Sequence, residues 1–184
     1  MSCPNSQMTL YADDSTAYVS SKSITELNTK LNDEASYISR WCQLNDMVVN
    51  VNKSKVMLVT TQQKRSRLDT NLNVTLNGKN LSTVDSDKIL GIQIDENLNW
   101  AKQVNSVCAK INCNLALLNR IKTYLPEFAR KRFVETIISP HIEYCCTVWG
   151  GCNKVLLNKI QKLLNRAARI VQDIRRPTDQ RTYT

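Results

Sequence analysis

The sequence predicts an α+β fold in two parts: antiparallel strands with one helix over residues 1–98, then helices over residues 99–184. Three observations predict it. Short β-prone runs separated by turn residues fill the first part. Apolar residues at helical spacing fill the second. Charge divides at nearly the same place. The 184 residues include 25 Lys or Arg and 16 Asp or Glu, a net charge of +9. Residues 1–100 are net −1 and residues 101–184 net +10, so the whole basic excess is C-terminal. Asymmetry of that size points to an anionic partner for the second part, nucleic acid first, against the plainer reading of a solvated basic surface.

Met8–Ala12 and Ser15–Ser20 read as two strands of a hairpin, with Asp13-Asp14 as its turn. Ser23 or Thr25 can cap a helix running to about Gln43, because Ile24, Leu27, Leu31, Ala35, Ile38 and Trp41/Cys42 step by three or four. Met47–Val51 and Val56–Thr60 read as strands, and polar Gln62–Thr70 as a loop. Leu72–Leu76, Asn77-Gly78 and Lys79–Leu81 form the strongest hairpin signal, since Asn-Gly supplies the positive φ angles of a tight turn. Ile89–Ile94 reads as one strand interrupted by Gly91. From Trp100 onward Val104, Val107, Cys108, Ile111, Leu115 and Leu118 carry helical spacing. Pro126 fits the first turn of a helix that Pro140 interrupts. A last helix spans about Asn153 to Ile174, and Pro177 closes it.

That last helix separates two faces. Leu156, Ile160, Leu163, Leu164, Ala167, Val171 and Ile174 fall in one arc of roughly 100°. Lys159, Lys162, Arg166 and Arg169 fall in a second arc some 120° away, a basic stripe suited to a sugar–phosphate backbone.

No apolar run approaches the ~18 residues of a membrane span. Met1–Gln7 has neither a basic start nor an apolar stretch, which argues against a secretory signal and for a protein inside the cell, in nucleus or cytoplasm. The seven cysteines form no CxxC pair, and an odd number suits reduced, mostly buried thiols. A zinc site from Cys108, Cys113, His141, Cys145 and Cys152 would match no standard ligand spacing.

Chemistry concentrates in Tyr11-Ala12-Asp13-Asp14. Adjacent carboxylates repel, and a divalent cation offsets that repulsion. Magnesium takes oxygen ligands, often one or two carboxylates plus substrate phosphates. Two such ions about 4 Å apart would stabilise the attacking and leaving oxygens of a phosphoryl transfer. Asp-Asp-Ser is also ordinary turn chemistry, so the pair gains meaning from its frame of two β runs.

Leu10-Tyr11-Ala12-Asp13-Asp14-Ser15-Thr16 closely resembles catalytic motif C of reverse transcriptases, and the residues downstream resemble the branch from non-LTR (LINE-type) retrotransposons. Trp41–Asn45 with Val49–Lys55 is similar to motif D. Lys88–Asp95 followed by Leu98-Asn99-Trp100 is similar to motif E, the primer grip. Tyr144 to Gly150 and Leu157 to Arg169 are similar to the downstream thumb. The resemblance covers nearly the whole chain and implies a partial polymerase palm followed by a helical thumb. It implies a complete enzyme that adds dNTPs to a DNA primer 3′-OH on an RNA template by two-metal phosphoryl transfer.

By the same resemblance Asp13 and Asp14 would be the catalytic acids and Mg2+ ligands. Tyr11 and Ala12 would lie near the primer end and the incoming nucleotide. Lys53 or Lys55 would neutralise or protonate the departing pyrophosphate, and the strand around Leu90 and Gly91 would grip the primer. Lys159, Lys162, Arg166 and Arg169 would hold the RNA–DNA hybrid by its phosphates.

Two departures limit the carry-over. Gln103 stands where the family usually has a histidine. The chain also begins shortly before the acidic pair, without fingers or motifs A and B, and motif A carries the third metal-binding aspartate. The magnesium site is therefore expected to be incomplete and this chain inactive as a polymerase on its own. The alternative is a non-catalytic module or remnant that still holds nucleic acid.

Overall fold

A computed structural model describes residues 7–67 and 72–174. Of the residues discussed, 1–6 (Cys3 among them), 68–70 of the expected loop, and Pro177, expected to close the last helix, lie outside that range. The fold is α+β, as the sequence predicts. It divides into two compact units, residues 1–87 and 88–184.

The first unit opens with the antiparallel hairpin β1 (Gln7–Tyr11) and β2 (Asp14–Tyr18), paired Gln7↔Tyr18 through Tyr11↔Asp14. The turn is Ala12-Asp13 rather than Asp13-Asp14, because Asp14 already pairs with Tyr11. Helix α1 (Ile24–Leu44) forms where expected, and Leu27 and Ala35 are buried. Ser23 precedes it, but its side chain makes no capping bond.

Met47–Val51 and Val56–Thr60 do not become the expected strands. The Asn50 carbonyl accepts from the amides of Lys53 and Ser54, each at 3.1 Å, and folds that run into a turn. Only β3 (Lys55–Val56) remains. Within Gln62–Thr70, residues 62–65 form a short helix α2 (Gln62–Arg65), whose amide at Lys64 donates to the Thr61 hydroxyl.

The Asn-Gly hairpin forms from β4 (Thr75–Leu76) and β5 (Lys79–Asn80), with φ of +52° at Asn77 and +74° at Gly78. Leu72, Val74 and Leu76 alternate onto one buried face, and Val74 and Leu76 pack with Ala35. Asn32 stitches α1 to this segment: its amide donates to the Asn73 carbonyl at 2.8 Å and its oxygen accepts from the Thr75 amide at 2.9 Å. Then β6 (Ser82–Thr83) pairs with β3 in parallel, Lys55↔Ser82 and Val56↔Thr83.

The predicted single strand Ile89–Ile94 is instead a hairpin, β7 (Ser86–Ile89) and β8 (Ile92–Asp95), with Leu90-Gly91 as its turn. The boundary between the units falls within β7.

In the second unit α3 (Ala101–Ile121) begins after Asn99, whose side-chain oxygen accepts from the Ala101 amide at 2.9 Å. A 3-10 turn, Lys122–Tyr124, leads to Pro126 and α4 (Glu127–Phe133). Pro140 does not end the helical path. A wider π turn, Val134–Ile138, precedes it and α5 (Ser139–Glu143) contains it, so the missing N–H is absorbed by a local change of hydrogen-bond spacing. Next come α6 (Cys146–Trp149) and α7 (Lys154–Val171), the latter capped by Asn153, whose oxygen accepts from the Leu156 amide at 3.0 Å.

Two clusters fill this unit. Val107, Ile111, Leu115 and Leu118 of α3 pack with Ile138, Ala167 and Ile170. Val104 packs with Ile92, Trp149, Cys152, Leu156 and Ile160. The apolar arc of α7 is corrected at its end: Ile170 is buried, whereas Ile174 lies past the helix and is exposed.

The cysteines are free among the described residues, but not mostly buried: Cys113, Cys145 and Cys146 are exposed and only Cys152 is fully covered. Burial pushes the half-covered Cys108 thiol above its ordinary value, partly offset by the Lys159 charge. No described helix is long and apolar enough to cross a membrane.

Candidate nucleic-acid interface

The acidic tip follows from the hairpin register. Residues directly opposite on antiparallel strands share a face, so Tyr11 and Asp14 lie together, with Leu10 and Ser15 on the other face. Asp13 sits in the turn itself. Tyr11, Ala12, Asp13 and Asp14 are all exposed. Ala12 holds φ at +52°, a left-handed conformation that costs a residue with a Cβ about 1–2 kcal/mol. Strained backbone of this kind clusters at functional sites.

Two adjacent exposed carboxylates are hard oxygen donors, and magnesium commonly takes one or two of them together with substrate phosphates. The donor chemistry therefore fits, as part of a site. Among the described residues no cluster of three or more His, Cys, Asp or Glu side chains could hold a metal ion, so neither a third carboxylate nor the cysteine–histidine set assembles. Other acids are engaged elsewhere. Asp85 pairs with Arg65 at 3.4 Å and Asp87 with Lys55 at 2.9 Å. The buried Asp95 accepts from the amides of Asn97 and Asn99, each at 3.1 Å, and orders the loop before α3.

Lys53 and Lys55 differ. Lys55 is held on β3 by its ion pair with Asp87. Lys53 stands on the Asn50 turn, exposed, with no acidic partner among the described residues. Lys53 thus offers the exposed charge of the pair that no described acid neutralises.

The Leu90-Gly91 turn belongs to the second unit and is strained as well, with φ of +45° and +86°. Gly91 meets that requirement without a Cβ penalty; Leu90 does not. The Tyr144 hydroxyl donates to the Leu90 carbonyl at 2.7 Å. A Cβ placed on Gly91 would meet Cε1 of the Tyr144 ring at 3.4 Å, so the ring lies against the turn. Tyr144 is itself fixed by the Trp149 indole, whose Nε1 donates to its carbonyl at 3.0 Å. Gln103 finds a role here: buried, it accepts from the Gln93 amide at 2.9 Å and ties α3 to β8.

The basic stripe lies on α7. Lys159 donates to Asn105 at 3.1 Å and Arg166 to Asn112 at 3.2 Å. Both partners advance by seven residues in the same direction, so α3 and α7 run parallel and repeat the contact every two turns. Asparagine orients a cation without neutralising it. None of Lys159, Lys162, Arg166 and Arg169 has an acidic partner among the described residues. Lys122 and Arg130, by contrast, pair with Asp173. No described acid therefore neutralises the stripe, two of its members are tethered to asparagines, and Lys162 and Arg169 are exposed.

Sequence reasoning missed Asn105, Asn112 and the Tyr144–Leu90 bond. The asparagines carried a signal, a seven-residue step that matches Lys159 and Arg166. The tyrosine carried none, since its partner is 54 residues away.

No protein-family model and no solved structure matches the chain. Curated proteins of Drosophila melanogaster do match it. The RNA-directed DNA polymerase from mobile element jockey is 25% identical over 162 residues, 86% of this chain and 17% of that protein. The probable RNA-directed DNA polymerase from transposon X-element is 22% identical over 171 residues, 90% of this chain and 18% of that protein. Its counterpart from transposon BS is 26% identical over 184 residues, 93% of this chain and 20% of that protein. The chain is similar to these RNA-directed DNA polymerases of mobile elements along nearly all of its own length and spans about a fifth of theirs.

Proposed function

We propose that the chain is the part of a non-LTR reverse transcriptase that holds an RNA–DNA hybrid and presents the acidic pair to the primer 3′ end. The observation that carries this reading is the exposed Asp13-Asp14 pair at the tip of an antiparallel hairpin. The α7 stripe, in a unit that holds the chain's basic excess, supports it. Asp13 and Asp14 would hold magnesium, which when bound stabilises charge on the attacking and departing oxygens of nucleotide transfer. Tyr11 shares the face of Asp14 and would bear on the primer terminus. Lys53, exposed and unpaired, would stand near the triphosphate, with Lys55 fixed beside it by Asp87. Lys159, Lys162, Arg166 and Arg169 would neutralise backbone phosphates without reading bases.

Among the described residues no third carboxylate joins Asp13 and Asp14, so the chain alone would be a holder rather than a polymerase. Purified chain should bind RNA–DNA hybrids of unrelated sequence with similar affinity and should incorporate no deoxynucleotide in a magnesium-dependent primer-extension assay. Failure to bind any hybrid would remove the reading. Clear incorporation would overturn the incomplete-site part of it.

A further inference from the structure

We infer that Tyr144 is a positioning residue for the Leu90-Gly91 turn, setting where a primer 3′ end rests; this deepens the hybrid-holding function proposed for the chain and depends on it. A turn with positive φ at both central residues, one of them leucine, needs support from outside its own short strands. Tyr144 supplies that support at two points, a hydroxyl bond to the Leu90 carbonyl at 2.7 Å and ring contact at Gly91. The brace is anchored in the core. Trp149 is 2% exposed, packs in the cluster that contains Ile92 of β8, and binds the Tyr144 carbonyl through Nε1. The turn is therefore held from below through β8 and from the side through Tyr144, by one buried indole.

Placement argues that the bond serves more than packing. Tyr144 is 53% exposed and Leu90 41% exposed, so the brace works at the surface, where a primer backbone would meet the turn. Gly91 is exposed, and its missing side chain is what lets the Tyr144 ring close on the turn, since a Cβ there would meet the ring at 3.4 Å. The left-handed Cys145 that comes next, with φ of +50°, turns the chain sharply after Tyr144 into α6.

Tyr144→Phe keeps the ring and removes only the hydroxyl. In the free chain, loss of one such bond should speed hydrogen exchange of the turn amides about three- to tenfold, with the core amides of α3 unchanged. With hybrid bound, a 2-aminopurine at the primer 3′ terminus should change fluorescence between wild type and Tyr144→Phe. The same probe placed well upstream should not change, and overall affinity should stay within about twofold because the stripe supplies it. Wild-type chain that binds hybrid while its 3′-end signal is indifferent to Tyr144→Phe overturns this inference alone. Chain that binds no hybrid overturns the proposed function beneath it, and the primer part of the inference with it.

Discussion

Reversing the two free charges of the α7 stripe, Lys162→Glu with Arg169→Glu, should lower hybrid affinity by about tenfold to a hundredfold at moderate salt and flatten its salt dependence. Each neutralised phosphate contributes roughly −0.9 to the slope of log affinity against log salt on duplex DNA. Four contacts therefore give the native chain a slope near −3 to −4, and removing two should bring it to about −2. A control is built into the same unit. Lys131 already lies near Glu135, at 3.9 Å on α4, and belongs to no stripe, so Lys131→Glu should leave the slope nearly unchanged. A titration over a salt series reads all of this. A loss from Lys131→Glu about half that of the double reversal, in proportion to the charge changed, would mean that the whole net charge binds, not the α7 face.

Trp149→Ala should cost about 3–5 kcal/mol of stability, by loss of buried area and the cavity that remains. Trp149 is 2% exposed and packs with Ile92, Val104, Cys152, Leu156 and Ile160. For a unit of this size the unfolding midpoint should fall by about 15–30 °C. Trp149→Phe retains most of the packing and loses the Nε1 bond to Tyr144, so it should cost nearer 1 kcal/mol beyond its lost area. Thermal or urea unfolding followed by circular dichroism separates the two. A small effect of Trp149→Ala would mean that the indole is not the keystone between β8, α3 and α7.

Elements with local causes were legible in the sequence. The first hairpin, the Asn77-Gly78 turn, α3 and α7 belong here, because turn chemistry and apolar spacing are written within a dozen residues. The strands expected at Met47–Val51 and Val56–Thr60 failed for a different reason. β propensity there competes with the Asn50 turn, and the partner that pairs with β3, Ser82–Thr83, comes from beyond the Asn-Gly hairpin. Leu90 gives no hint of a left-handed residue, because what holds it there is Tyr144. Ile174 drops out of the core because the helix ends at Val171, a boundary that periodicity alone does not set, while Ile170, at the edge of the predicted apolar arc, is buried. In the candidate site, the acidic pair and the basic stripe were visible as residue types in a pattern. The state of each charge was not: Lys55 is tied to Asp87, Lys53 is free, and the asparagines of α3 orient the stripe without quenching it.

The proposed function turns on a hairpin tip that holds a divalent ion beside a nucleic-acid end. Manganese replaces magnesium at oxygen sites and broadens the NMR signals of nearby nuclei. Titrating Mn2+ into the chain bound to an RNA–DNA hybrid should broaden the amides of residues 11–15 first, and Asp13→Asn with Asp14→Asn should abolish that broadening. Amides near Asp33 or Asp85 broadening equally, or residues 11–15 staying sharp while hybrid is bound, would contradict it.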